Sequence, residues 1–271
     1  MIRPISCILS FAVSGLLHAA ITETIVYKEV DGQKLNIHLV KPDNWKKDDK
    51  RPAIIWFHGG GWVGGPVKQF EDHSKHFAKL GVVSAMVQYR LIKKVPGPPV
   101  FPCRDAKSAM RWVRSNATNL GIDPKRIAAG GGSAGGHLAA FTGLVEGTDD
   151  PEDDKSISPK PQALLLFNPV LDNGKEGGWG QKRVGDEIKK YSPAHNISVK
   201  APPTIIFLGT KDSLIPVSTM KRFQEGMSDA GVTCELHLYD GEKHGFFNNE
   251  PSKADTIEKT EAFLENLDWV N

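Results

Sequence analysis

Cysteine is scarce, with only Cys7, Cys103 and Cys234 in 271 residues. Their spacing fits neither a zinc ribbon nor a disulfide framework, which excludes both kinds of small scaffold. An excess of one charge is also missing. Thirty-four Lys+Arg stand against 32 Asp+Glu, leaving +2 and no basic tract. An electrostatic grip on nucleic acid or anionic lipid is therefore not indicated. Beyond the first 20 residues no apolar run reaches the length that spans a bilayer. What remains is 39% hydrophobic, 24% charged and 8% aromatic, a soluble globular composition with material for a large core. Disordered, collagen-like and coiled-coil chains are excluded, and the length suits one α/β domain of about 200–300 residues.

Residues 1–20 differ from the rest. Arg3 is the only charge before residue 23, Ile5 to Leu17 is apolar apart from three serines, and Ala19-Ala20 closes the run. This is a secretory signal pattern, and its apolar stretch is too short to span a bilayer. Export to a periplasm or beyond is the expectation, with no stable membrane insertion once the segment is removed. A buried first helix is the alternative. Whether Cys103 and Cys234 pair is open, as is the oligomeric state.

Residues 21–271 read as one domain. Thr24–Val30 and Lys34–Val40 flank Asp31-Gly32, the preferred pair for a tight hairpin turn. Ala53–Phe57 is continuously apolar, as a strand buried on both faces should be. Val82–Tyr89, Ile127–Ala129, Ala163–Phe167, Thr204–Leu208 and Val232–Tyr239 continue the series. Helical spacing appears between them, at Ala106–Leu120 after Pro102, at Met220–Ala230 after Pro216, and at Ala254–Leu267. The alternation implies an α/β fold, a mostly parallel eight-stranded sheet with helices on both faces. The acidic stretch Glu146–Pro161 reads as a solvated loop. Asp172–Lys200 follows a buried strand and is expected to border the ligand crevice.

Four signals carry chemistry. Gly131-Gly132-Ser133-Ala134-Gly135 lies between a strand and a helical stretch. A strand-to-helix elbow presents a serine in a strained turn that only small neighbours tolerate, and the helix N-terminus favours a developing oxyanion. A glycine-rich phosphate loop is the rival, without the Lys-Ser/Thr pair that nucleotide binding needs. His58-Gly59-Gly60-Gly61-Trp62 follows Ala53–Phe57, and its glycines let backbone N–H groups approach a carbonyl. Asp212 and His244 each follow a strand, on the edge where Ser133 sits. A serine needs a base and that base needs a carboxylate, and the order Ser133, Asp212, His244 suits this fold.

On these residues, with Tyr89-Arg90-Leu91, Phe101-Pro102, Asp105, Trp112-Val113 and Gly121–Pro124, the chain resembles the α/β-hydrolases. Within them it resembles the hormone-sensitive-lipase-like acetyl esterase/lipase branch, and most closely the bacterial acetyl or feruloyl carbohydrate esterases. The resemblance implies an α/β-hydrolase catalytic domain over 21–271, ester hydrolysis, no cofactor and no metal. It implies Ser133 as nucleophile, His244 as base, Asp212 as its orienter, and N–H groups of Gly60, Gly61 and Ala134 as oxyanion donors. Gly132 departs from the acidic residue many relatives carry there, and no residues are available for a large amino-terminal cap. An open site for short acyl groups on a sugar or other bulky alcohol follows.

Other residues carry weaker signals. His73 and His76 share a helical face but lack a third metal ligand, so a solvated or half-buried face is the better reading. His137 is a conceivable rival base, better read as packing internally, and Asp240 a weaker orienter than Asp212. Trp62 and Trp179 divide evenly between site and core. The leading function is hydrolysis of short acyl, acetyl or aryl esters of carbohydrate, with a small ester or acylated carbohydrate as partner. A prolyl-oligopeptidase-type peptidase or amidase, and a non-catalytic carbohydrate-binding protein on a hydrolase scaffold, are the alternatives.

Overall fold

The computed structural model describes residues 22–92 and 97–271. The signal pattern over residues 1–20, and Cys7 within it, lie outside the described residues. Among the described residues no helix is long and apolar enough to cross a membrane.

Strands β1 (Glu23–Val30) and β2 (Gln33–Val40) form the opening hairpin. Its turn holds Asp31 at φ 51° and Gly32 at φ 73°, the paired positive dihedrals that match strand twist and that Asp-Gly tolerates. β3 (Arg51–Phe57), α1 (Glu71–Lys79), β4 (Val83–Val87), α2 (Val100–Ser115), β5 (Ile122–Gly132) and α3 (Ala134–Leu144) follow. Next come β6 (Ala163–Phe167), the short α4 (Gln181–Val184) and α5 (Ile188–Tyr191), β7 (Thr204–Gly209), α6 (Val217–Asp229), β8 (Cys234–Tyr239) and α7 (Ser252–Glu265).

The eight strands lie in the order β1-β2-β4-β3-β5-β6-β7-β8. The hairpin is the antiparallel edge, and β4 through β8 run parallel. Successive core-strand residues alternate between two separate cores. Ile55, Phe57, Leu164 and Leu166 meet Ala106 and Met110 of α2, Leu138 of α3 and Phe223 of α6 on one face. Ile54, Trp56, Leu165 and Phe167 meet Phe77 of α1 and Leu264 of α7 on the other. Two-sided burial explains why these strands are continuously apolar, each buried side chain contributing about 1.5–3 kcal/mol.

Three expectations change in detail. α2 begins at Val100, with Pro102 inside its first turn, and ends at Ser115. Asn116 caps it by returning both its N–H and its side-chain amide to the Trp112 carbonyl, so Ala117 and Leu120 pack beyond the helix. The acidic stretch is a loop, but only partly solvated. Asp149, Asp150 and Asp153 bind Arg111 and Lys28, cations supplied by α2 and β1. His73 is buried against Trp56, Phe70 and Phe167, while His76 stays half-exposed and meets Glu261 at 2.6 Å. Cys103 and Cys234 are free thiols, one buried in α2 and the other on β8.

Candidate active site

The carboxyl ends of β3, β5, β6, β7 and β8 converge on one edge, as parallel strands require. β5 delivers Ser133 into a sharp turn, at φ 52° and ψ −117°. That strained conformation survives because its surroundings leave no alternative. A Cβ on Gly131 would sit 2.5 Å from the Phe57 carbonyl oxygen, and one on Gly135 only 2.0 Å from it. Both positions of the pentapeptide therefore require glycine. The Ser133 N–H donates to the Phe167 carbonyl at 2.8 Å, which ties the elbow to β6.

Gly132 has its own cause. A side chain there would meet the Phe247 ring at 2.5 Å, so the acidic residue of many relatives has no room.

His244 stands beyond β8 and Asp212 beyond β7. His244 Nε2 lies 2.9 Å from Ser133 Oγ, and Nδ1 lies 2.7 Å from Asp212 Oδ2. Asp212 Oδ1 accepts the N–H groups of Leu214 and Ile215 at 2.8 and 3.0 Å. Burial raises an Asp carboxyl. Here the bonds from His244, Ile215 and Leu214 together outweigh it and hold Asp212 below the usual carboxylate range. An ionised Asp212 fixes the tautomer with a proton on Nδ1, leaving Nε2 free to accept from the serine.

The glycine loop after β3 faces the serine. Gly60 and Gly61 adopt φ 114° and 63°, and a Cβ on Gly60 would collide with the Gly64 carbonyl at 2.2 Å. The second glycine pair closes the loop from below, since a Cβ on Gly65 would lie 2.0 Å from the Gly59 oxygen. Tyr89 stacks on His58 and donates its hydroxyl to the His58 carbonyl at 2.7 Å. The N–H groups of Gly60, Gly61 and Ala134 donate to no protein acceptor among the described residues. Free donors beside a serine are what a developing oxyanion needs.

A cavity of about 270 Å³ opens here, lined by Gly59–Gly61, Ser133, His244, Trp179, Leu214 and Phe247 among others. Trp179 therefore belongs to the site, and the segment after β6 does border it. Trp62 goes to the core, fully buried, with Nε1 donating to the Ala134 carbonyl at 3.1 Å. His137 is buried, donates Nε2–H to the Tyr191 carbonyl at 2.8 Å, and is pushed down to about 4 by burial. Asp240 accepts from Thr210, while the hydrogen bonds of His244 among the described residues go to Asp212 and Ser133. No group of three or more metal-ligating side chains occurs among the described residues.

Five lining residues escape the sequence: Gln69, Asn168, Leu214, Phe247 and Asn248. Asn168 alone carried a usable signal, its place directly after strand Ala163–Phe167 on the same sheet edge.

Residues 37–173 match the family model BD-FAE, and residues 187–271 match that of the dienelactone hydrolase family. Isoprenylcysteine alpha-carbonyl methylesterase of Arabidopsis thaliana is 25% identical over 87% of this chain and 59% of its own. Esterase LipQ of Mycobacterium tuberculosis is 27% identical over 70% of this chain and 50% of its own. The chain thus spans about half the length of the curated relatives it matches. Esterase 2 of Thermogutta terrifontis superposes with TM-score 0.87 at 41% identity, covering 94% of this chain and 97% of that one. That esterase has also been solved with propionate bound, with butyrate bound and phosphorylated by paraoxon.

Proposed function

The chain belongs to the BD-FAE family of α/β-hydrolase esterases, and on that premise we propose that it is a serine carboxylesterase acting on short-chain acyl esters, acetyl or aryl esters of carbohydrate. One observation carries this reading. The line Ser133–His244–Asp212, with contacts of 2.9 and 2.7 Å, ends in a small cavity beside three free N–H groups.

In the proposed reaction Ser133 Oγ attacks the ester carbonyl while His244 Nε2 takes its proton. The carbonyl oxygen becomes an oxyanion facing the N–H groups of Gly60, Gly61 and Ala134. His244 returns the proton to the departing alcohol, leaving an acyl group on Ser133. Water, deprotonated by His244, then releases the acid and restores the serine. Asp212 stays ionised throughout and stabilises the imidazolium.

The small cavity supports a short acyl group, since sites for drug-sized ligands run about 300–1,000 Å³. Trp179 and Leu214 give it an apolar wall, and Gln69, Asn168 and Asn248 a polar one. A polar wall suits an alcohol rich in hydroxyls. Export of the enzyme to meet an acylated carbohydrate is part of the proposal, and the signal pattern of residues 1–20 supports it.

Acetate release from acetylated xylan tests the reading, with Ser133→Ala alongside. Release that disappears in the variant is the expected result. Cleavage of p-nitrophenyl acetate without release from xylan would keep the serine mechanism and remove the polysaccharide. Inactivity on both would remove the mechanism as well.

A further inference from the structure

The glycines that face the proposed nucleophile are also the residues least able to hold their own conformation. Something outside the loop must fix them, and one side chain does. Gln69, just before α1, accepts the Gly59 N–H on Oε1 at 2.7 Å. Its Nε2 donates to Asn248 Oδ1 at 3.1 Å, across 179 positions of sequence. Asn248 Nδ2 in turn donates to the Gly245 carbonyl at 2.8 Å, and the Gly245 N–H donates to Asn168 Oδ1 at 2.9 Å. Asn168 adjoins Phe167, the residue whose carbonyl accepts the Ser133 N–H.

These bonds form an unbroken chain from the oxyanion loop, past the residue that follows His244, to the strand end that anchors the elbow. All five residues, Gly59, Gln69, Asn248, Gly245 and Asn168, line the same cavity. We infer that Gln69, acting with Asn248, is a positioning residue that clamps the Gly59–Gly61 loop to the His244 loop and so sets the distance between the oxyanion donors and the base. The inference rests on the proposed roles of Gly60, Gly61 and His244.

The clamp acts through the transition state. A planar ester carbonyl makes little demand on the Gly60 and Gly61 donors, whereas a tetrahedral oxyanion needs them within hydrogen-bond reach. A displacement of about 1 Å can cost on the order of 10²-fold in rate. Cutting the clamp should therefore lower kcat and leave KM nearly unchanged.

The test compares Gln69→Leu, Asn248→Ala and the double variant with the unmodified full chain on p-nitrophenyl acetate. Unfolding midpoint and inhibition by an alkyl boronic acid, which forms a tetrahedral adduct on serine, are measured beside kcat and KM. Gln69→Leu should lose about 10- to 100-fold in kcat, with KM within about two-fold and boronate affinity falling in parallel. Asn248→Ala, which cuts one link of an exposed residue, should lose about 3- to 10-fold. The double variant should be no worse than Gln69→Leu, because the chain is already cut.

A lower unfolding midpoint with unchanged kcat per folded molecule, a rise in KM alone, or additive losses would each overturn the clamp. If Gln69→Leu does not fold, Asn248→Ala decides by the same kcat and boronate readouts. An unmodified protein inactive on p-nitrophenyl acetate overturns the esterase reading and the clamp with it. An active one whose variants keep full kcat overturns the clamp alone.

Discussion

Two regions of this molecule bury carboxylates among hydrogen bonds, and they differ in how completely those bonds are used. Beneath the hairpin, Asp105 is held by Lys28 at 3.0 Å and by two nitrogens of Arg90 at 2.8 and 2.7 Å. Lys28 continues to Asp150 at 2.6 Å and to Ser108 at 2.9 Å, while Arg111 joins Asp149 and Asp153 at 2.6 and 2.8 Å. Every charge there faces an opposite charge. At the sheet edge Asp212 is as buried as Asp105, both side chains 0% exposed, but its line of bonds ends at Ser133 in open space. Buried charge therefore does not distinguish a reactive site from a strut. Unfilled hydrogen-bonding capacity beside a cavity does, and of these two regions it is the sheet edge that places three free N–H groups there.

The largest effect should come from Asp212→Asn. The amide keeps the shape but favours the wrong tautomer of His244, so kcat on p-nitrophenyl acetate should fall about 10⁴-fold with little change in unfolding midpoint. Asp105→Ala should do the reverse. It leaves Lys28 and Arg90 facing each other without their shared carboxylate, and loss of one partner of a buried ion pair costs about 3–5 kcal/mol. Chemical denaturation should record that loss while kcat per folded molecule holds. A variant of Asp105 that lost kcat without losing stability would break the comparison.

The sequence reached these two regions unequally. Strands β3, β6 and β7 were legible because two-sided burial makes them continuously apolar, and the elbow because glycine and serine are forced there by contact. Their places after strands mark Asp212 and His244 as candidates, and the structure brings both within hydrogen-bond reach of each other. The ionic network was not legible. Its bonds join Lys28 to Asp150, 122 positions apart, and Arg111 to Asp149, 38 apart, so local reading sees only a run of acids. Gln69 and Asn248 escaped for the same reason, since no spacing encodes a contact between two amides in separate loops.

A smaller effect separates both regions from His73, which is buried with no hydrogen-bond partner on either ring nitrogen. Burial pushes it from 6.5 down to about 3. The folded protein therefore refuses a proton that the unfolded chain accepts below 6.5. Stability is whole above that value and falls by about 1.4 kcal/mol per pH unit beneath it, until the folded imidazole also titrates. His73→Phe, a flat ring without a titratable nitrogen, removes the group. Between about pH 8 and about pH 5 the variant should lose about 2 kcal/mol less stability than the unmodified protein. Equal losses would mean that the imidazole reaches water.

The smallest effect expected is that of salt, and it bears directly on the network. Raising ionic strength from about 0.1 to about 1 M shortens the screening length from about 10 to about 3 Å. Exposed pairs such as Lys253–Asp72, with Asp72 60% exposed, are screened by such a change. Lys28, Arg90 and Asp150 are only 10–12% exposed and Asp105 not at all, so mobile ions cannot come between them. The network's contribution to the unfolding free energy should therefore move by less than about 0.5 kcal/mol across that range. The same insensitivity should hold in Asp212→Asn, where the network is intact. In Asp105→Ala, where Lys28 and Arg90 have lost the carboxylate between them, added salt should recover part of the lost stability. A strut made of saturated charges becomes salt-sensitive only when one charge is removed.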